Sequence, residues 1–576
     1  MTRNARDFSF ATIRHKLLAL LTFQALILTF VAYWQSPCSD EFGHAYAGLQ
    51  FWDNNNLELF NVNPPLVRAI AALPLYLEPL EFFPEQTSNH KLSRPEFPLG
   101  RELYSLNGSP FRSRLFAGRL LVASFAMLGT LACYLLGKHL GNESTGLVAA
   151  AFWVFQPQII SHGALITNDV PVAATMALFV WCFLRWRDSD KWLWAVASAC
   201  SLGLACSCKF TALILWPIVV GFCLIDLVGR QTMRTQRIRA LLQILSFCVL
   251  TIFIIGIPYR FASVAKPLEE YSFESKALSG SDFAGNRFAG TWLGRLPVPL
   301  PAQYLLGLDR QQFDFESGLV SYAHGEKSDH GWWWFYLYSM LVKLPAGTLL
   351  GICAGFAYWL RISDRPIGSR ADLWVVALAL VNVTAWKSGF AQQHRYIFPL
   401  YPILFALISM PMLEETCRTW RTVTLISLGL TVLGMASASP NWLASFNFLA
   451  GGTDGGHHHL FNDATDWGQD ADRVVAWVQD HPEHRPLYLC SANSFQFISE
   501  KTLGLPPDVL YQPTMHGAHG LRNQSAGWWV VSKTDLVMFD ELRIRFSNRV
   551  PNGQIGGTHF IYRVVRSENA LLGTPD

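Results

Sequence analysis

At 576 residues the chain is long enough for several soluble domains, yet 51% of it is apolar and only 15% charged, against roughly a quarter charged in soluble domains. That balance excludes an ordinary string of soluble domains, and no basic patch or phosphate loop suited to nucleic acid is present. The formal net charge of +3 says little, because the placement of the basic residues matters more than their sum. The 21 Trp and 40 Phe fit aromatic belts at two membrane interfaces. Eight cysteines (Cys133, Cys182, Cys200, Cys206, Cys208, Cys223, Cys248 and Cys353) fall in apolar runs, where a thiol behaves as a small hydrophobe. Cys38 and Cys490 would share the oxidising side, and a bridge between them is not expected.

A helix of roughly 20 apolar residues crosses the hydrocarbon core. Such runs lie at about 14–34, 115–137, 144–161, 168–186, 191–207, 210–228, 239–259, 334–360, 371–388, 395–413 and 421–439. Cys208-Lys209 makes the weakest division, between the fifth and sixth. The first run has a basic start like a signal peptide, but it is long and Ala32-Tyr33-Trp34 lacks small residues for cleavage, so retention is expected. Alternate loops carry the basic residues: Arg3 to Lys16, Lys138, Arg185 to Lys191, Arg230 to Arg239, Arg361 to Arg370, then Arg418 and Arg421. The positive-inside rule then places the N-terminus in the cytoplasm, and an odd number of spans places the C-terminal tail outside.

The expected fold is an all-α polytopic membrane protein of about eleven transmembrane helices with a small C-terminal extracytoplasmic α/β domain. The expected division is 1–440 and 441–576. The external regions are long, at about 35–114, 260–333 and 440 onward, while the internal loops are short. Chemistry is therefore expected outside.

The first external loop opens with Ser36-Pro37-Cys38-Ser39-Asp40-Glu41. Ser39 reads as the N-cap of a helix from Asp40 to Trp52, on which Asp40 and His44 share a face. Asn54-Asn55-Asn56 breaks it, and Asn63-Pro64-Pro65 starts an amphipathic helix over 66–77 suited to the interface. Asp40-Glu41 reads either as a first-turn capping pair or as reactive carboxylates at the mouth of a membrane helix. Asp169, ahead of Pro171, has the same two readings, and His162 is either a structural or a substrate-contacting histidine. Lys343 falls about ten residues into a span, where an unpaired charge costs about 2.5–3.5 kcal/mol, so it predicts a cavity or a partner.

The tail predicts a helix over 471–479 and strands at 486–490, 527–532 and 559–565. His457-His458-His459, in a Gly-rich stretch, reads as a solvated turn. Asp466-Trp467-Gly468-Gln469-Asp470 either closes over the first external loop or packs the tail on the membrane helices.

Several motifs fall in one order: Asp40-Glu41, Asn63-Pro64-Pro65-Leu66, Gly118-Arg119-Leu120, Ser161-His162-Gly163, Thr167-Asn168-Asp169-Val170-Pro171, Lys209-Phe210-Thr211, Arg395-Tyr396 and Pro399-Leu400-Tyr401-Pro402. Phe446-Asn447, Gly451-Gly452 and Asp466 to Asp470 follow. Together they resemble GT-C glycosyltransferases, nearest to the protein O-mannosyltransferase (family 39) and lipid A aminoarabinose transferase-like group. Asn63 stands where many of those proteins carry His. The resemblance implies a plasma (inner) membrane enzyme that takes a sugar from a polyprenyl-phosphate lipid and passes it to a hydroxyl of a protein, lipid or glycan. It also implies Asp40 as base, with Glu41 and Asp169 as acidic partners. Lys209, Lys343 and Arg395, then Arg119 and Arg260, are the candidate phosphate contacts; His44, His162 and Tyr396 are the candidate substrate contacts. The resemblance assigns no particular cofactor and allows a divalent metal at Asp40 and Glu41. A transporter or flippase of a lipid-linked substrate is the alternative, although that class shows paired repeats and none is visible.

Overall fold

The computed structural model describes residues 3–81, 94–229, 234–281, 283–318, 320–361, 393–413, 418–495, 498, 500–511 and 526–565. The span expected at 371–388 lies outside the described residues. Among the described residues six helices are long and apolar enough to cross a membrane: Ile13–Trp34, Ser109–Leu140, Asp169–Ser189, Arg237–Tyr259, His394–Leu413 and Arg418–Ser437. The pair Phe335–Lys343 and Ala346–Arg361 would make a seventh, but it bends by 120°.

Other expected spans are shorter or interrupted, and each break has a local cause. The run at 144–161 is two helices, Glu143–Val154 and Pro157–Gly163, because Pro157 opens the second and removes a ladder donor. Helix Trp192–Cys208 stops where Lys209 turns extended, and a 3-10 turn, Phe210–Ile214, restarts the chain. Pro345 falls within the bend that follows Lys343.

Two spans are central, one is half-buried and the rest are peripheral. In their most apolar stretches 89% of His394–Leu413 and 83% of Asp169–Ser189 is buried, against 50% of Ser109–Leu140, 28% of Arg237–Tyr259 and 22% of Ile13–Trp34 and of Arg418–Ser437. The peripheral helices turn Leu, Phe and Val outward, among them Leu26, Phe30, Leu425 and Leu433, as a lipid-facing surface does. The central helices carry Asp169 and Arg395 at their starts.

The three long non-membrane regions gather at one end of the bundle. Helix α1 (Arg3–Trp34) is followed by α2 (Ser39–Asn54), which ends on Asn55 in the left-handed region at φ 55°. The amphipathic segment at 66–77 is two short helices, Leu66–Ala71 and Leu73–Leu77, packed under α2. Gly118 permits this layer, since a Cβ there would sit 2.3 Å from the Ala71 carbonyl oxygen. Arg94 reaches Asp314 at 3.5 Å, Thr502 Oγ1 donates to the Ser105 carbonyl at 2.8 Å, and Arg112 clamps Asp472 at 3.0 and 2.6 Å.

The tail carries the expected helix (Ala471–Asp480) and strands (Leu487–Cys490, Gly527–Ser532 and His559–Val564), with two short strands unforeseen. The sheet order is Val509–Tyr511, Leu487–Cys490, Gly527–Ser532, His559–Val564, Gly553–Ile555; the first two pairings are parallel and the last two antiparallel. Cys38 and Cys490 are both free and buried. The histidine run is not a solvated turn: His457 is buried against Phe560, and the ring of His459 bonds Tyr338.

Candidate active site

Where α1 gives way to α2, the chain is fixed by a capping box centred on Cys38, one residue before the expected Ser39 cap. The Cys38 N–H donates to Glu41 at 2.9 Å and the Glu41 N–H donates to the Cys38 carbonyl at 3.0 Å. This register sends two adjacent carboxylates in different directions. Glu41 is wholly buried and binds Arg119 at 2.8 and 2.5 Å, while also accepting the Ile166 N–H at 3.0 Å. Arg119 spends its remaining donors on the carbonyls of Ala32, Gln35 and Ser36.

Asp40 faces the other way, into a cavity of about 190 Å³. Its wall includes His44, Asn63, Arg94, Asp169, Lys209, Asp314, Gln393, Arg395 and Tyr396. Asp40 and His44 share a helix face, as the spacing of four requires. Burial, with Arg68 and Arg395 nearby, holds His44 well below the usual histidine range, so its imidazole is neutral.

The charges of the cavity centre on Arg395. Its Nη2 donates to Asp40 Oδ2 at 2.9 Å, and its Nε lies 3.5 Å from Asp169 and 3.6 Å from Asp463. Gln393 accepts from the same guanidinium at 2.8 Å, and the Trp467 ring stacks 4.1 Å from it. Lys209 pairs with Asp169 at 2.6 Å and sits 4.1 Å over the Tyr396 ring. The Asn168 side chain donates to the Cys208 carbonyl, tying the start of one central helix to the break that presents Lys209. Of the three carboxylates around Arg395, Asp40 is the most open at 24% side-chain exposure, against 5% for Asp169 and 1% for Asp463.

The cavity thus gathers Asp40, Asp169, Lys209, Arg395, His44 and Tyr396, and leaves five expected residues outside its wall. Glu41 and Arg119 neutralise each other in the interior. Lys343 is not buried mid-span without a partner. It ends a helix at the 120° bend, and its Nζ donates to the carbonyls of Leu443 and Ala464, both at 2.9 Å, beside Phe446. Arg260 is exposed and stacks on Phe51 at 4.9 Å. His162 packs between Phe398 and Trp467.

A divalent cation shared by Asp40 and Glu41 does not fit, because both Glu41 oxygens are engaged by Arg119 and backbone N–H groups. Among the described residues, no group of three or more His, Cys, Asp or Glu could hold a metal ion.

Sequence reading missed Arg94, Asp314, Gln393 and Asp463. Arg94 lies over Phe60 and Phe97 and pairs with Glu96 at 2.6 Å. None of these four stands in a motif; Gln393 lies two residues from Arg395 in the chain, and the packing of distant segments brings the other three here. The motif at 466–470 does close over the first loop. The carbonyls of Gln469 and Trp467 accept the N–H groups of Ser36 at 3.1 Å and Ser39 at 3.0 Å. Gly468 has φ +100°, and a Cβ there would crowd the Asn493 and Pro37 carbonyls at 3.2 and 3.4 Å.

Fold and cavity together define a multi-span membrane protein with a polar, ion-paired chamber roofed by its tail. Residues 104–255 match the family model described as dolichyl-phosphate-mannose-protein mannosyltransferase. That stretch takes in Arg119, Asp169 and Lys209 and leaves Asp40 and Arg395 outside it. Among solved structures, the chain is similar to ArnT from Cupriavidus metallidurans bound to undecaprenyl phosphate, at 13% identity and a TM-score of 0.44, covering 97% of this chain and 99% of that one. It is also similar to the oligosaccharyltransferase AglB from Archaeoglobus fulgidus, at 11% identity and a TM-score of 0.46, covering 90% of this chain and 69% of that one. No curated protein matches the chain. The family match supports reading the chain as a membrane glycosyltransferase and gives nothing to the transporter alternative.

Proposed function

We propose that this protein moves a sugar from a polyprenyl-phosphate donor to an acceptor hydroxyl on the outer face of the membrane, with inversion at the anomeric carbon. The observation that carries the proposal is the placement of Asp40, the most accessible carboxylate of the cluster, in one cavity wall with Lys209 and Arg395. Asp40 takes the proton of the acceptor hydroxyl as its oxygen attacks C1 from the face opposite the phosphate. The C1–O bond to phosphate breaks, and its electron pair leaves with the polyprenyl phosphate. That leaving group needs no proton, so one base suffices, whereas a glycosidase needs an acid as well. Negative charge grows on the departing phosphate, and fixed cations at that point lower the barrier. Lys209 and Arg395 fill that role, Asp169 holds both of them, and His44 and Tyr396 contact the sugar or acceptor. The membrane portion, 1–440, supplies these groups, and 441–576 covers them from outside.

The test is Asp40→Asn in purified protein supplied with a labelled polyprenyl-phosphate sugar. Transfer should fall by about 10²–10⁴-fold, the usual contribution of a positioned base, while insertion and melting temperature stay as in wild type. Undiminished transfer would remove Asp40 from the reaction.

A further inference from the structure

We infer that Asp463, contributed by the tail, is a positioning residue for Arg395: it draws the guanidinium back from Asp40, so that the base is held but not captured. This rests on the transferase reading and assigns the tail a part in it.

The geometry is specific. Asp463 is 1% exposed, so its carboxylate has been taken out of water, and Oδ2 lies 3.6 Å from Arg395 Nε. Asp40 holds the same guanidinium through Nη2 at 2.9 Å. Trp467, four residues further along the tail, covers the face of the guanidinium at 4.1 Å. The segment cannot drift. Lys343 grips the Ala464 carbonyl at 2.9 Å, the Trp467 carbonyl accepts from Ser39, and Thr465 and Thr534 share a bond at 3.2 Å. A buried carboxylate costs free energy unless it is compensated. Asp463 Oδ1 and Arg395 Nη1 are both buried and have no hydrogen-bond partner among the described residues. Such an uneven arrangement suits an arginine shared among three anions rather than closed on one.

The groups facing Asp463 are Arg395, Lys343, Asp169, Asp40 and Tyr336. Burial raises its carboxyl to about 7, against the pull of Arg395 and Lys343. Above that pH Asp463 is charged and competes for Arg395. Below it the residue is neutral, and Arg395 settles on Asp40 and Asp169.

The experiment measures kcat and donor KM from pH 6 to 8.5 for wild type and Asp463→Asn in lipid nanodiscs, with a labelled polyprenyl-phosphate sugar as probe. At pH 8 the Asn variant should lose kcat on the order of tenfold, because the base is then held more tightly, with no rise in donor KM. At pH 6 the two proteins should converge, since the native carboxyl is neutral there. In an Arg395→Lys background the same substitution should have little further effect, as expected for two residues acting as one unit. Asp463→Glu, which keeps the charge, should retain kcat within about threefold and the wild-type pH profile; it carries the test if the Asn variant does not fold. Equal kcat in wild type and Asp463→Asn at pH 8, a loss that appears only in KM, or a Glu variant with the Asn profile would overturn the inference. Wild-type protein that transfers no sugar from this donor would sink the underlying transferase reading, and this inference with it.

Discussion

Two arginine–carboxylate clusters lie within the same layer of the molecule, and their difference separates structure from chemistry. Around Arg119 every donor finds an acceptor: two oxygens of Glu41 and three backbone carbonyls. Around Arg395 three carboxylates share one guanidinium at uneven distances, and Nη1 has no partner among the described residues. A closed set of bonds makes a strut, because nothing remains to engage a ligand. An open set beside a cavity leaves capacity for a substrate. Asp40 and Glu41 are adjacent in sequence yet belong to opposite clusters.

The largest effect that sharpens this contrast is the Asp40→Asn loss of transfer with stability intact. Glu41→Gln should do the reverse. Breaking a buried ion pair costs about 3–5 kcal/mol, so its melting temperature should drop while the folded fraction keeps its kcat. Lost turnover without lost stability in Glu41→Gln would erase the distinction.

Lys343→Met should lower stability by about 1–3 kcal/mol, the cost of leaving a buried polar group unmet, since the Leu443 and Ala464 carbonyls lose their donor. Binding of polyprenyl phosphate to the folded variant should match wild type; a large loss of binding would return Lys343 to the phosphate site.

The smallest effect concerns Asp466, whose carboxyl burial raises from 3.8 to about 6 despite bonds from Ser532 and the Gly468 N–H. A raised folded pKa means that the folded state holds the proton longer. The stability tied to this group is therefore full below about pH 4 and lost as pH rises through about 6. In Asp466→Asn the fall in melting temperature across that window should be shallower. An identical fall would place the titration elsewhere.

Much of the site was readable because local rules act on short segments. Asp40 and His44 are four apart on a helix, so they share a face whatever surrounds it. Lys209 was marked by the interruption it makes in an apolar run, and the structure breaks the helix there. Lys343 was expected to have a cavity or a partner and has one, but hydropathy cannot see the bend that supplies it. A continuous apolar run over 334–360 reads as one span, while the chain turns by 120° around Pro345 and brings Lys343 to backbone carbonyls of the tail. Asp463 was illegible for a related reason. It is separated from Arg395 by 68 residues, and nothing in Asn462-Asp463-Ala464 marks it as special.

Composition and periodicity by themselves determined a multi-helix membrane protein with long regions on one side, because burying apolar runs in lipid is a demand each segment meets alone. They also determined that the opening of α2 carries acids beside a membrane helix. Which acid meets solvent, and which is consumed by an arginine 78 residues away, was decided only by the tertiary structure. The sign and worth of a charge depend on its neighbours and its distance from water, and those are fixed when the tail, the first loop and the central helices close together.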